Sequence, residues 1–344
     1  MKQPHAGGLT ARWRPVGQYL TLGRSSIAWT HSVPVALWAD HVWPVWAAAL
    51  ILIWSTFFYM ASCLVNDTAD LESDTQNPGR IGSPLVKGEV PLVRVVHWAL
   101  VTLTLITFAV LALPTTTTSK TFALTGIALT VYGNLYQKTS RLFPPVAMDA
   151  LYAVTMCCLL LAAQTAGGSW PSFGGLCAIT AYGLILLPLN AIAGNLKDLK
   201  TDRATGARTL AMDFGVSWSP IDSTFRLPRL YKAYVYFTVA LASLALVASV
   251  ALAPSLTRTW ATLALVVVIC STALSAYLIV RLMSQLSAPR PSSKEIRRPR
   301  GLIVLFATFL WASSLYAGPV MAVGLLAIGL AISTVLDRMR RRFL

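Results

Sequence analysis

Charged residues are scarce in this chain, and acidic residues are the scarcest of them. Only 12% of the 344 residues are Asp, Glu, Lys or Arg, and only 13 are acidic. A soluble domain ordinarily carries about 25% charged residues, so this composition excludes an ordinary soluble fold. The 56% of hydrophobic residues instead fits a polytopic membrane protein.

Histidine and cysteine are also few, with four and five copies. The cysteines all lie within apolar segments and lack the spacing of a zinc site, so we expect them to be packing residues; they are Cys63, Cys157, Cys158, Cys177 and Cys270. Residues 1–18 are polar and basic and contain no short apolar core followed by a cleavage site. We therefore expect a polar cytoplasmic N-terminus and no removable signal peptide.

The long apolar runs predict a single all-α domain over residues 1–344, a membrane bundle of nine or ten transmembrane helices. The last run has 36 residues, which is too long for one span of about 20 residues. A turn at Gly318-Pro319 would divide this run into two spans and give ten helices. The predicted segments are 19–38, 43–65, 93–114, 121–136, 146–167, 174–193, 231–253, 259–283 and 301–336.

Basic residues alternate between the two sides of these spans. If the N-terminus is cytoplasmic, the outer connections carry only Lys120 and Arg258 of the 28 basic residues, as the positive-inside rule requires. The connections 66–92 and 194–230 are then cytoplasmic active-site loops, and 284–300 is a basic cytoplasmic linker. The net charge of +15 reflects topology and anionic lipid headgroups, and nucleic-acid binding is not expected.

Four of the 13 acidic residues fall within the nine positions Asn66 to Asp74, at the end of an apolar run. If the helix continues through this stretch, Asp67, Asp70 and Asp74 lie on one face. Carboxylates at such short distances repel one another unless a cation lies between them. An all-oxygen set without His or Cys suits Mg²⁺, which also binds substrate phosphates.

A second stretch repeats this spacing beyond another apolar run. Asn195, Asp198 and Asp202 again lie at i, i+3 and i+7. Four predicted spans separate the two stretches, so both reach the same, cytoplasmic side. Together they could hold two or three Mg²⁺ ions with a diphosphate between them.

The two motifs NDxxDxxxD and DxxxD, the second followed by DRATGARTLA, resemble those of the UbiA superfamily of intramembrane prenyltransferases. The first motif falls on Asn66, Asp67, Asp70 and Asp74, and the second on Asp198 and Asp202. The resemblance implies about nine transmembrane helices, Mg²⁺ held by the five aspartates, and a polyprenyl diphosphate substrate. The implied reaction transfers the isoprenoid chain to an aromatic or other lipophilic acceptor and releases diphosphate.

Basic residues near the motifs are expected to neutralise the leaving diphosphate. The stretch YGNLYQKTSR resembles a family segment that carries Tyr and Lys or Arg, although each basic residue could equally be a topological charge. The candidate substrate-binding residues are Asn66, Asn195, Lys138, Arg141, Tyr136, Tyr132, Arg80, Lys87 and Arg203.

Two alternatives remain open at the level of sequence. A terpene cyclase of the same family would ionise the same diphosphate without an external acceptor, and a divalent-cation transporter would also place carboxylates in a bundle. Asp149, at the start of the fifth predicted span, is an ionisable group near the membrane. It is expected either to pair with a nearby Arg or to lie near the acceptor.

Overall fold

The computed structural model describes residues 7–38, 45–77, 80–136, 143–219, 224–253, 258–288, 296, 299–317 and 319–343. Almost all of these residues are helical. The helices are α1 (Gly7–Leu22), α2 (Trp29–Leu37), α3 (Val45–Ala69), α4 (Leu71–Thr75), α5 (Leu92–Ala112), α6 (Thr117–Tyr136), α7 (Pro145–Thr165), α8 (Phe173–Leu189), α9 (Lys197–Ala204), α10 (Leu210–Asp213), α11 (Arg229–Ala251), α12 (Arg258–Leu286), α13 (Arg300–Ala317) and α14 (Pro319–Phe343).

Three short elements complete the described fold. A 3₁₀ turn, Ser25–Ile27, lies between α1 and α2, and a π-helix, Asn190–Leu196, joins α8 directly to α9. Strands β1 (Ser217–Ser219) and β2 (Thr224–Arg226) form one antiparallel hairpin. The all-α prediction is thus confirmed apart from this small hairpin.

Six helices in the described ranges are long and apolar enough to cross a membrane, and the chain is an integral multi-pass membrane protein. Large apolar side chains such as Leu105 and Phe108 are exposed on the helix surfaces, as expected where lipid covers the bundle. The number of nine or ten spans stays a prediction. The six are 46–69, 92–112, 145–165, 173–204, 229–251 and 259–286.

Helix α8 lies at the centre of one half of the bundle, where it packs against α7, α11 and α13. Its Tyr182 is fully buried and stacks on Phe309 of α13, with 4.9 Å between ring centroids. Helix α3 packs against α2, α5 and α6 in the other half. The two helices that carry the acidic stretches are therefore each held by several neighbours.

The predicted segment 19–38 is not one continuous helix. The chain breaks between α1 and α2, where Arg24 has a left-handed backbone with φ 49° and ψ 40°. A Cβ on the preceding Gly23 would lie 2.9 Å from Met60 Cε, so α1 approaches α3 closely at this point. The break brings the Arg24 side chain to the end of α3.

The apolar run 301–336 forms two helices, α13 and α14, which meet at the predicted Gly318-Pro319 position; Gly318 itself lies outside the described residues. Proline has no N–H to donate and is favoured at the start of a helix. Helix α14 packs against α1 and α2. The stretches 66–92 and 194–230, expected as loops, begin with ordered helix.

Candidate active site

The first acidic stretch continues the helical path of α3. The amide of Asp70 donates to the Asn66 carbonyl at 2.9 Å, and the amide of Asp74 donates to the Asp70 carbonyl at 2.8 Å. Asp67, Asp70 and Asp74 are all buried, whereas Glu72 is exposed. The three aspartates that were predicted to share one helix face are therefore all buried.

Two arginines contact the buried face. Arg24 donates to Asp67 Oδ1 at 2.7 Å, and Arg80 bonds both to the same oxygen and to Asp74 Oδ2. Burial lowers the pKa of Arg80, but Asp67 and Asp74 outweigh burial, so its pKa is raised. Both guanidinium groups therefore stay charged and offset part of the carboxylate charge.

The second acidic stretch lies on the π-helix and α9. Pro188, which has no N–H, precedes the π-helix, and the Ala191 carbonyl within it accepts a 2.6 Å hydrogen bond from the buried Tyr231 hydroxyl. Single π-helical turns are common at functional sites. In this π-helix Asn195 is buried, and in α9, which follows it, Asp202 is buried and Asp198 is half-buried.

The two stretches meet. Asn77, just after α4, donates from its side-chain amide to Asp198 Oδ1 at 3.0 Å. A cavity of about 450 Å³ separates the two walls and is lined by residues of both stretches. Its polar and charged lining comprises Arg24, Asn66, Asp70, Asp74, Arg80, Asp149, Asn190, Asn195, Lys197, Asp198, Asp202, Arg208 and Thr209. We call this space the acidic cavity.

A second cavity of about 340 Å³ adjoins the first and reaches into the bundle. Its lining is more apolar and includes Tyr59, Leu129, Tyr152, Leu186 and Leu189. We call it the inner chamber. Six residues line both spaces and so form the neck between them: Arg24, Asn66, Met148, Asp149, Asn190 and Gly194.

The donor set of the acidic cavity fits magnesium only with help from other oxygens. Among the described residues, no three carboxylate, His or Cys side chains converge closely enough to chelate an ion by themselves. Mg²⁺ commonly keeps waters and takes one or two carboxylates together with substrate phosphates. The separate pairs Asp70 with Asp74 and Asp198 with Asp202 suit that mode of binding.

Asp67 differs from the other four predicted ligands. It is 2% exposed, does not line the acidic cavity, and accepts hydrogen bonds from both arginines at the same carboxylate oxygen. Its contacts are those of a residue that anchors Arg24 and Arg80. Its role as a direct metal ligand stays a prediction.

The other predicted substrate-binding residues divide into three groups. Asn66, Asn195 and Arg80 line the acidic cavity. Lys87 and Arg203 are exposed, and Tyr132 stacks with Tyr136 at 5.0 Å between centroids; these four line neither described space. Lys138 and Arg141 lie outside the described residues.

Sequence reasoning missed three residues of the site. Arg24 was treated as part of a span, and neither Asn77 nor Asn190 was singled out. A polar residue at the end of an apolar run was the available signal for Asn190, and a lone Arg within a predicted span was the signal for Arg24.

A model of the UbiA prenyltransferase family matches residues 27–295, a range that includes both acidic stretches. No curated protein sequence matches the chain.

Solved structures share the fold. A UbiA homologue from Archaeoglobus fulgidus bound to GPP and Mg²⁺ superposes with a TM-score of 0.63 at 16% identity, over 92% of this chain and 99% of that one. An apo UbiA homologue from Aeropyrum pernix K1 gives 0.57 at 17% identity, over 90% and 98%. A structure described as digeranylgeranylglyceryl phosphate synthase gives 0.53 at 15% identity, over 91% and 99%. At these identities the likeness establishes the fold alone.

Proposed function

The chain belongs to the UbiA prenyltransferase family, and from this premise we propose that it transfers an isoprenoid chain from a polyprenyl diphosphate to an aromatic or other lipophilic acceptor with release of diphosphate. We further propose that the reaction depends on Mg²⁺ and that the acidic cavity opens on the cytoplasmic side. The relatives bound to GPP or DMAPP with Mg²⁺ support the choice of substrate and ion.

One observation carries the proposal. Two acidic segments 121 residues apart, joined by the hydrogen bond from Asn77 to Asp198, form the walls of one cavity that adjoins a more apolar chamber. A polyprenyl diphosphate has the same division into a highly charged head and an apolar tail. The head therefore fits the acidic cavity, and the tail fits the inner chamber.

Asp70, Asp74, Asp198 and Asp202 would hold the magnesium, with oxygen from Asn66 and Asn195 completing the walls. Bound there, the ion would neutralise the diphosphate as its bond to carbon breaks. With the head held in the acidic cavity, the first carbon of the chain would lie at the neck. The apolar chamber keeps water from the allylic cation.

Arg24 and Arg80 would bind the diphosphate directly. Each guanidinium has five N–H donors, so an arginine held by Asp67 still has donors to offer at the cavity wall. The hydrogen bonds from those donors to the diphosphate would strengthen as negative charge develops on the leaving oxygen. We also propose Lys138 and Arg141 as diphosphate contacts, because the stretch that contains them resembles the family segment that carries Lys or Arg.

The proposal is tested with the purified chain in detergent, Mg²⁺, a series of C10 to C20 prenyl diphosphates and a set of phenols. We expect Mg²⁺-dependent release of diphosphate and a product whose mass equals acceptor plus prenyl minus one hydrogen. Diphosphate release with a cyclised hydrocarbon and no use of acceptor would instead support the terpene-cyclase alternative. The absence of diphosphate release with every chain length would contradict both.

A further inference from the structure

Resting on the proposed function, we propose that Asp149 is the acceptor-binding base of this enzyme and that it selects a neutral hydroxylated acceptor over a carboxylated one. The acceptor's hydroxyl would donate to Asp149 Oδ2 at the neck. This assigns a role to a carboxylate that belongs to neither acidic motif.

Asp149 lies where the two cavities meet. Asp149 lies in the first turns of α7 and lines both the acidic cavity and the inner chamber. With a diphosphate in the first space and an isoprenoid tail in the second, the bond that breaks lies at the neck. Asp149 is therefore the carboxylate beside the reacting carbon on the side of the chamber.

The two carboxylate oxygens of Asp149 differ in their hydrogen bonding. The side chain is buried, with 8% of the residue exposed, and Oδ1 accepts a 2.7 Å bond from Asn190 Nδ2. Oδ2 is buried and has no hydrogen-bond partner among the described residues. Buried polar atoms are nearly always paired, so this oxygen, on a residue that lines both cavities, is suited to a donor on a bound molecule.

Asn190 is itself held in place. Its backbone carbonyl accepts a 3.1 Å bond from Asn195 Nδ2, and a Cβ at Gly194 would fall 2.2 Å from its side-chain oxygen. Only glycine leaves room for this side chain. The π-helix thus orients the amide that fixes Asp149.

Among the described residues, few positive charges line the inner chamber. Arg24 is the one Lys or Arg among its described lining residues, and Arg24 already donates to Asp67. His31, which also lines the chamber, is within 3.2 Å of the Tyr182 hydroxyl and stacks on Tyr59 at 4.5 Å. A carboxylated acceptor would face Asp149 across this space, and like charges in a buried site repel.

The chemical step balances. The C–O bond of the prenyl diphosphate breaks and diphosphate leaves with the electron pair. The acceptor's hydroxyl gives its proton to the Asp149 carboxylate as the ring carbon bonds to the first prenyl carbon, which leaves a cyclohexadienone. The proton on that ring carbon then passes to the departed diphosphate, and Asp149 returns its proton to the acceptor oxygen as aromaticity is restored. No oxidant or further reactant is needed.

The test uses the full chain with Mg²⁺, one active prenyl diphosphate and three matched probes: 4-hydroxybenzamide, 4-hydroxybenzoate and 4-methoxybenzamide. For the wild type we expect kcat/KM for the hydroxyamide to exceed that for the carboxylate and for the methoxyamide by about tenfold or more. Asp149→Asn should lower kcat/KM for the hydroxyamide by about 100-fold. It should leave KM for the prenyl diphosphate within about twofold and reduce or reverse the discrimination against the carboxylate.

Glu89→Gln is the matched control, because Glu89 is an exposed carboxylate that pairs with Arg14 at 3.2 Å, far from the neck in sequence and outside both cavities. It should behave as the wild type with all three probes. A wild type that prefers 4-hydroxybenzoate, or an Asp149→Asn variant that loses both acceptors and the diphosphate equally, would overturn the inference. Transfer to other phenols but to none of the three probes overturns the inference alone, whereas diphosphate release with no transfer to any acceptor, or no release, overturns the proposed function as well.

Discussion

Asn77 donates a hydrogen bond of 3.0 Å to Asp198 Oδ1 and so joins the two acidic segments directly. Asn77 follows α4, which carries Asp74, and Asp198 lies in the first turn of α9. The bond spans 121 positions of sequence. It fixes the separation of the two walls between which a diphosphate and its ions would bind.

We therefore expect Asn77→Ala to weaken magnesium binding rather than folding. A hydrogen bond to a charged group contributes about 1.5–3 kcal/mol, so the Mg²⁺ concentration for half-maximal activity should rise at least about tenfold. Thr75→Ala is the control, because the exposed Thr75 hydroxyl bonds to the nearby Glu72 carbonyl at 2.7 Å. Equal Mg²⁺ dependence in the two variants would show that the contact does not position the site.

The acidic residues should act together. Asp70→Asn and Asp198→Asn each remove one charge from a cavity wall, and we expect each to lower kcat by at least about 100-fold while the chain still folds and inserts. Glu72→Gln is a stringent control within the same motif, because Glu72 is exposed and does not line the acidic cavity. Full turnover of both aspartate variants at saturating Mg²⁺ would contradict the assignment.

The sequence was sufficient for the part of this site that depends on local periodicity. The i, i+3, i+7 spacing correctly placed Asp67, Asp70 and Asp74 on a buried face, because helical geometry fixes that relationship within a few residues. Contacts between distant segments were not predictable in this way. Arg24 reaches Asp67 only because the chain breaks at a left-handed residue, and a π-helix cannot be read from a pattern of apolar residues.

Arg24 and Arg80 should stabilise the folded chain through Asp67, whose side chain is 3% exposed. Removing one partner leaves a buried carboxylate with less compensation. Because the arginines are themselves partly exposed, we expect Arg24→Gln or Arg80→Gln to cost only about 1–2 kcal/mol of unfolding free energy. Thermal unfolding in detergent measures this loss.

A double-mutant cycle separates the ion pair from other effects of the substitution. In an Asp67→Asn background, Arg24→Gln should cost clearly less than it does in the wild type, because the charge that it compensates is gone. Additive losses would show that Arg24 stabilises the fold through contacts other than Asp67.

The boundary between α13 and α14 bears on which side of the membrane the C-terminus lies. If the chain crosses the membrane again after Pro319, a reporter fused after Leu344 should lie on the same side as one inserted in the segment 195–230, and that side should be cytoplasmic. The four arginines after Asp337 favour this arrangement. Opposite readings from the two reporters would return the count of spans to nine.

Gly194→Ala tests how the π-helix supports the neck. The new Cβ would lie 2.2 Å from Asn190 Oδ1, so the Asn190 side chain must rotate and lose its 2.7 Å bond to Asp149. We expect kcat/KM for the acceptor to fall about tenfold, the equivalent of about 1.4 kcal/mol, while no predicted magnesium ligand is removed. Steady-state kinetics with each substrate varied in turn measures the effect.

Gly324→Ala makes the same chemical change in α14, where a Cβ would meet nothing within 4 Å, and it should leave both kinetic constants unchanged. The double variant Asn190→Ala/Gly194→Ala removes the group with which the methyl collides, so it should recover thermal stability. Its acceptor kinetics should stay impaired, because Asp149 would still lack the amide that orients it. Recovery of stability and activity together would show that the methyl acts by crowding alone and that the bond from Asn190 to Asp149 is dispensable.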